Sequence, residues 1–215
     1  METLKMYVFL MLLVVGVSGG DTGCGGKTAD VYFLLDSSSS LSRSDHDKQL
    51  EFVKDVVTMF DIGQDKTRIG MAIFSHMYRE VFNFQAYDTL AQLKYAFTKV
   101  PYLSGRTNIA LALRKIRQHV FTSNKARENV SHILVVITDG GWFQTQAREA
   151  SLLHNMGVNV FAVGVTKNAN NNGLEQIASL PRGDDQSFLF NVLKYEDLDN
   201  IKDSLVTRIC KVAGL

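Results

Sequence analysis

Ala29 to Ser40 reads ADVYFLLDSSSS, an apolar run that ends in one acid and a row of hydroxyls. Val31 to Leu35 suits a strand buried on both faces. An ionised carboxylate followed by serines continues a core badly, but presents oxygens well at the rim of a sheet. In open parallel sheets, ligands bind beyond the carboxyl ends of the strands. Asp36, Ser38 and Ser40 are therefore the first candidates for a site, with Ser37 and Ser39 facing away where the backbone stays extended. Two further segments offer oxygens of the same kind: Thr107, in the breaker-rich loop Pro101 to Asn108, and Asp139, which ends the run HILVVIT at His132 to Thr138. Two carboxylates and three hydroxyls suit Mg²⁺, Mn²⁺ or Ca²⁺ rather than zinc or copper, which favour nitrogen and sulfur. Mg²⁺ prefers six ligands and gives up water reluctantly, so this set leaves a position for water or an outside group. The two acids only balance a divalent charge, so a carboxylate from a partner would meet an ion not already over-neutralised.

The elements that must carry these residues follow from periodicity. Asp45 to Phe60 has helical spacing with a broad apolar face, capped by Ser44 or Asp45. Arg68 to Ser75 is a strand, and Tyr78 to Phe84 alternates like a half-exposed one. The short link between them makes an antiparallel hairpin with an edge strand. Thr89 to Lys99 and Ile109 to about Val120 are helices, the second with Thr107 placed as an N-cap. His132 to Thr138 is the most β-branched run and is expected to be central. Then come a helix at Gln146 to Met156, a strand at Asn159 to Val165, and a polar loop at Asn168 to Asn172. A short helix at Leu174 to Leu180, a strand at Phe188 to Val192 and a helix at Glu196 to Ile209 complete the chain. This alternation predicts an α/β fold: a doubly wound, mainly parallel six-stranded sheet with one antiparallel edge strand and helices on both faces.

The three loops carry a family likeness. DSSSS at Asp36 to Ser40 resembles the DxSxS motif of the von Willebrand factor type A domain family. GRTNIALAL at Gly105 to Leu113 resembles its threonine loop, and ITDG at Ile137 to Gly140 its second acidic loop. The likeness covers Ala29 to about Ile209. It implies a metal-ion-dependent adhesion site (MIDAS) at Asp36, Ser38, Ser40, Thr107 and Asp139, where a divalent ion, Mg²⁺ first, receives an acidic side chain from a protein ligand. It also implies a secreted adhesion module of the extracellular matrix, with a matrix protein such as collagen as partner and no catalysis. After ITDG, where the family commonly has an arginine or polar residue and further acids, this chain has Gly141, Trp142 and Phe143. Trp142 and Phe143 can serve as an exposed contact beside the metal or pack under the loop.

Composition agrees with a globular domain: 215 residues, 46% hydrophobic, 21% charged, net charge +1. That charge gives nucleic-acid binding no electrostatic support. Met6 to Val17 is apolar apart from Tyr7's hydroxyl, follows Lys5, and leads into small residues at Ser18 to Gly20. Residues 1–19 thus read as a secretory signal, too short to span a bilayer, and the mature protein is expected outside the cell without a membrane span. Residues 20–28 form a glycine-rich leader, 29–210 the domain and 211–215 a tail. The two cysteines, Cys24 and Cys210, are expected to pair in an oxidising compartment, a closure worth about 5 kcal/mol by loop entropy. A cysteine pair flanking the domain also resembles the family's matrix members.

The remaining motifs bear on other chemistry. GGKT at Gly25 to Thr28 lacks the first glycine and the preceding strand of a P-loop. The five histidines form neither an HExxH pair nor a partner for a GxSxG serine. Asn129-Val130-Ser131 is a glycosylation sequon in a surface connection. Arg182-Gly183-Asp184 spells RGD, a tripeptide of integrin ligands that is also ordinary turn chemistry. Two rival functions remain: a structural or mineral-associated matrix protein whose ion only stabilises the fold, and a Mg²⁺-dependent phosphoryl-transfer enzyme. The second wants an acid two residues after Asp36, where Ser38 stands.

Overall fold

The computed structural model describes residues 24, 26–122, 124–140, 145–165, 171–181 and 187–214. The expected signal segment, most of the leader, Trp142, Phe143 and Arg182 to Asp184 lie outside the described residues. The order is β1 (Ala29–Asp36), α1 (Arg43–Thr58), β2 (Thr67–Phe74), β3 (Tyr78–Phe82), α2 (Leu90–Phe97) and α3 (Ile109–His119). It continues with β4 (Ser131–Thr138), α4 (Thr145–Asn155), β5 (Asn159–Val165), α5 (Asn171–Ile177) and β6 (Leu189–Val192). A 3₁₀ segment (Tyr195–Ile201) then leads into α6 (Lys202–Ala213).

The six strands lie in the order β3-β2-β1-β4-β5-β6. All neighbours are parallel except the β2–β3 hairpin, so the expected antiparallel edge is found. The β-branched run of β4 is central, beside β1. The chain leaves β1 toward β2 on one side and returns to β4 on the other, so the strand order reverses between β1 and β4. Such a switch point opens a crevice at the carboxyl ends of the strands. Asp36 ends β1 and Asp139 follows β4, which sets the two acids on either side of that crevice.

β1 is buried along its whole length, as are β2 apart from Arg68, β4 after its first two residues and β5 after its first. Helices cover them in two groups: α1 packs with α2, α6 and the 3₁₀ segment, while α3, α4 and α5 pack in succession. Gly70 of β2 sits beside Tyr32 of β1. A Cβ there would lie 2.4 Å from the tyrosine ring, so glycine makes room for that aromatic in the core. The opposite end of β1 is closed by Arg127, whose Nε and Nη2 donate to the buried Asp30 carboxylate at 2.9 and 2.7 Å. The same guanidinium reaches the carbonyls of Ala29, Lys66 and Gln64. Cys24 and Cys210 form the expected disulfide at this same pole, with Cα atoms 4.8 Å apart. Among the described residues, no helix is long and apolar enough to cross a membrane.

Several boundaries moved, each for a local reason. α1 starts at Arg43 because Ser42, not Ser44 or Asp45, is its cap: Asp45 N donates to Ser42 Oγ, and Ser42 Oγ donates back to the Asp45 carboxylate. Asn108 caps α3 by accepting from Leu111 N at 3.1 Å, which releases Thr107 from the capping role expected of it. β3 ends at Phe82, not Phe84, once Asn83 Oδ1 accepts from Gln85 N and turns the chain. α5 begins at Asn171, inside the expected polar loop. The last helix divides at Ile201 into a 3₁₀ segment without a side-chain cap and a regular α6 that runs to Ala213.

Candidate metal centre

Parallel register builds the floor of the site. Leu35 pairs with Ile137, so the next residues along the two strands, Asp36 and Thr138, come side by side. Thr138 Oγ1 donates to Asp36 Oδ2 at 2.7 Å, and Ser38 N donates to Asp36 Oδ1 at 2.9 Å. Behind the strand end, Gln49 of α1 donates from Nε2 to the Asp36 carbonyl at 2.9 Å. Asp36 has no solvent exposure. Burial pushes its carboxyl up to about 6, against the opposing pull of the hydrogen bonds from Ser38 and Thr138.

The serine run then splits by parity even though it leaves the extended strand and turns, with Leu41 N donating to the Ser38 carbonyl at 3.3 Å. Ser38 and Ser40 turn inward: their Oγ atoms are 2.8 Å apart, and Ser40 Oγ donates to Asp139 Oδ1 at 2.8 Å. A hydroxyl has one proton, so with Ser40's committed to Asp139, it is the Ser38 proton that Ser40 and the Asp36 carboxylate share. Ser37 and Ser39 turn toward the threonine loop. Ser37 Oγ accepts from Leu103 N at 2.8 Å, and Ser39 donates to the Gly105 carbonyl from N at 2.8 Å and Oγ at 3.0 Å.

That loop is held at several points along its length. Tyr102 Oη reaches the carbonyls of Ser38 and Leu41. Asn108 N donates to the Ser75 carbonyl at 2.8 Å. Gly105 has φ +93°, and a Cβ there would come within 2.3 Å of His76 Nδ1, so the turn needs glycine on both counts. Thr107, half-buried, lies between the anchored Gly105 and Asn108. The structure thus brings the 36–40, 101–108 and 138–140 segments together at one rim.

The electrostatics suit a cation. Burial raises Asp139's proton affinity, opposed by its bond from Ser40 and reinforced by the charge of Asp45. The charge acting on Asp36 is that of Asp139. Both fields come from carboxylates, and Lys48, which bonds Asp45 at 3.3 Å, is also paired with Glu196. Among the described residues, no cluster of three or more His, Cys, Asp or Glu has metal-holding geometry. A metal here would rely on hydroxyls beside the two acids, a hard oxygen set of the kind Mg²⁺ takes.

Sequence reasoning passed over Thr138, Gln49 and Tyr102. Gln49 had left a signal: a polar residue in register with the buried face formed by Phe52, Val53 and Val56. Thr138 and Tyr102 act across the chain, and their own neighbourhoods in the sequence carry no mark of it.

Comparison with known proteins agrees with this architecture. The von Willebrand factor type A domain model matches residues 30–204. The chain is 34% identical over 189 residues to mouse collagen alpha-4(VI) chain, across 87% of this chain and 8% of that protein. It is 28% identical over 196 residues to mouse matrilin-2, across 89% of this chain and 20% of that protein. The chain therefore spans a small part of these relatives. Among solved structures, proximal thread matrix protein 1 from the mussel byssus, with a zinc-occupied MIDAS motif, superposes with a TM-score of 0.77 at 28% identity. That match covers 88% of this chain and 47% of the mussel protein.

Proposed function

For this chain, which belongs to the von Willebrand factor type A domain family, we propose a secreted matrix-binding module that takes a protein ligand through a divalent cation. Asp36, Ser38, Ser40, Thr107 and Asp139 are its proposed ligand set. The observation that carries this is the bonded chain Ser38–Ser40–Asp139 beside the buried Asp36, which feels the charge of Asp139. When bound, a divalent ion would offset those two charges and leave a coordination position for an outside oxygen. Asp36, fixed by Thr138 and Ser38, supplies a rigid carboxylate. The serine hydroxyls turn lone pairs inward once their protons are directed elsewhere. The 101–108 loop presents Thr107 over the same rim.

The partner is a protein bearing an exposed acidic side chain, and the matrix identity of the relatives makes collagen the first to try. Mg²⁺ is the first ion to try, with Mn²⁺ and Ca²⁺ next. The zinc in the mussel protein's motif makes zinc a fourth, despite the hardness of the oxygen set. No catalytic step is proposed. Exposed Asn129, in the turn before β4, is a proposed glycan acceptor at the pole away from Asp36. A shift on peptide N-glycosidase treatment of secreted material would check it, and an Asn129→Gln protein would lose that shift.

The test is immobilised collagen probed with purified protein, with and without EDTA. Binding should disappear with chelator, return with Mg²⁺ or Mn²⁺, and be absent in Asp36→Ala. A cation that raises the melting temperature while collagen and matrix extract capture no more protein than in EDTA would favour the stabilising-ion reading instead.

A further inference from the structure

Among the described residues few buried side-chain nitrogens and oxygens have no hydrogen-bond partner, and these belong to α1 and the segment packed on it: both ring nitrogens of His46, Oε1 of Gln49 and Oη of Tyr195. His46 and Gln49 are on α1, and Tyr195 opens the 3₁₀ segment that packs on α1. Buried polar groups in folded proteins nearly always have a partner, so each of these calls for an explanation.

Tyr195 is the one whose position points to a role. β6 ends at Val192, in register with Val165 of β5, and β5 is in register with β4 up to Thr138 and Gly164. The carboxyl ends of these strands form one rim with Asp36, and Tyr195 follows the last of them by a short turn. The next residue, Glu196, is ion-paired with Lys48, which also holds Asp45, so the turn is clamped to the first part of α1. The tyrosine is only 8% exposed. After burial, the influences that keep the proton on its hydroxyl are the charges of Asp139, Asp36 and Asp45 in that order. Tyr195 is therefore a buried neutral donor, in the field of three acids, with no acceptor of its own among the described residues. Phenylalanine would fill the same space without leaving a donor unpaired.

We infer that Tyr195 is a positioning residue for the cation site: its hydroxyl donates into the oxygen cluster of Asp36 and Asp139 once that cluster is ordered around a divalent ion. This rests on the cation site proposed above. The hydroxyl, which has no acceptor among the described residues, would gain one there on loading, so its contribution appears in ion affinity and not in the fold. Groups that orient metal ligands in this way commonly change affinity by about tenfold when removed.

The experiment is isothermal titration of wild type and Tyr195→Phe with Mg²⁺ and with Mn²⁺, alongside thermal melts of both in EDTA. Tyr195→Phe should melt at least as high as wild type in EDTA, bind the ion about tenfold more weakly, and show a smaller ion-induced rise in melting temperature. Equal affinities would overturn the inference, as would a loss of stability in EDTA as large as the loss with ion present. A wild type that binds neither ion removes the proposed site and this inference together; a wild type that binds while Tyr195→Phe binds equally removes this inference alone.

Discussion

Ser40 Oγ donates to Asp139 Oδ1 at 2.8 Å, although 99 residues separate them in the chain. This bond joins the loop after β1 to the loop after β4 across the point where the strand order reverses. Ser40 is exposed, so its hydroxyl contributes little to the core.

Ser40→Ala should therefore lower divalent-ion affinity by about tenfold or more while leaving the melting temperature in EDTA within about 1 °C of wild type. Calorimetric titration paired with a thermal melt checks this. An equal loss in both measurements would make Ser40 a structural residue.

Arg127 carries the opposite expectation. It is the cation that neutralises the fully buried Asp30, and it also satisfies backbone carbonyls at that pole. Removing one partner of a buried pair leaves an uncompensated charge, so Arg127→Ala should cost about 3–5 kcal/mol in urea unfolding. Ion affinity at the far rim should be unaffected in whatever fraction remains folded.

Glu149 of α4 gives a pH dependence. Burial pushes its carboxyl up, but Arg117 at 2.9 Å and Arg114 at 3.0 Å outweigh that and hold it below its ordinary 4.5. The unfolded chain therefore binds this proton more readily than the folded one. The stabilisation is complete above the ordinary value and is lost as pH falls through the lower, folded value. Glu149→Gln should lower stability by about 2 kcal/mol at pH 7. The gap between the two proteins should narrow steadily below pH 4.5. A gap that stays constant into strong acid would contradict this sign.

What the sequence made legible is what local pattern encodes. The run VYFLL followed by an acid announces a strand end, and the parity of Ser37 to Ser40 announces which hydroxyls turn inward. The two acids could be assigned to one rim because each ends a buried run. Caps were harder: Ser42, Ser44 and Asp45 are all competent, and only the path of the chain out of the serine loop selects Ser42. The same holds at α3, where Asn108 takes the cap expected of Thr107. The residues that set the geometry of Asp36 come from β4 and α1, and the pairing of Thr138 and Gln49 with it exists only once strands are in register. Arg127 stands in a mostly polar stretch, and nothing beside it in the chain reveals its partner, the buried Asp30 near the start of β1.

The bridge between Cys24 and Cys210 fixes where load can travel. A pull applied across those two residues would be carried by the sulfur–sulfur link and not by the hydrogen bonds of the sheet. Reduction would instead route the same pull through β1 and α6, the elements that follow Cys24 and carry Cys210.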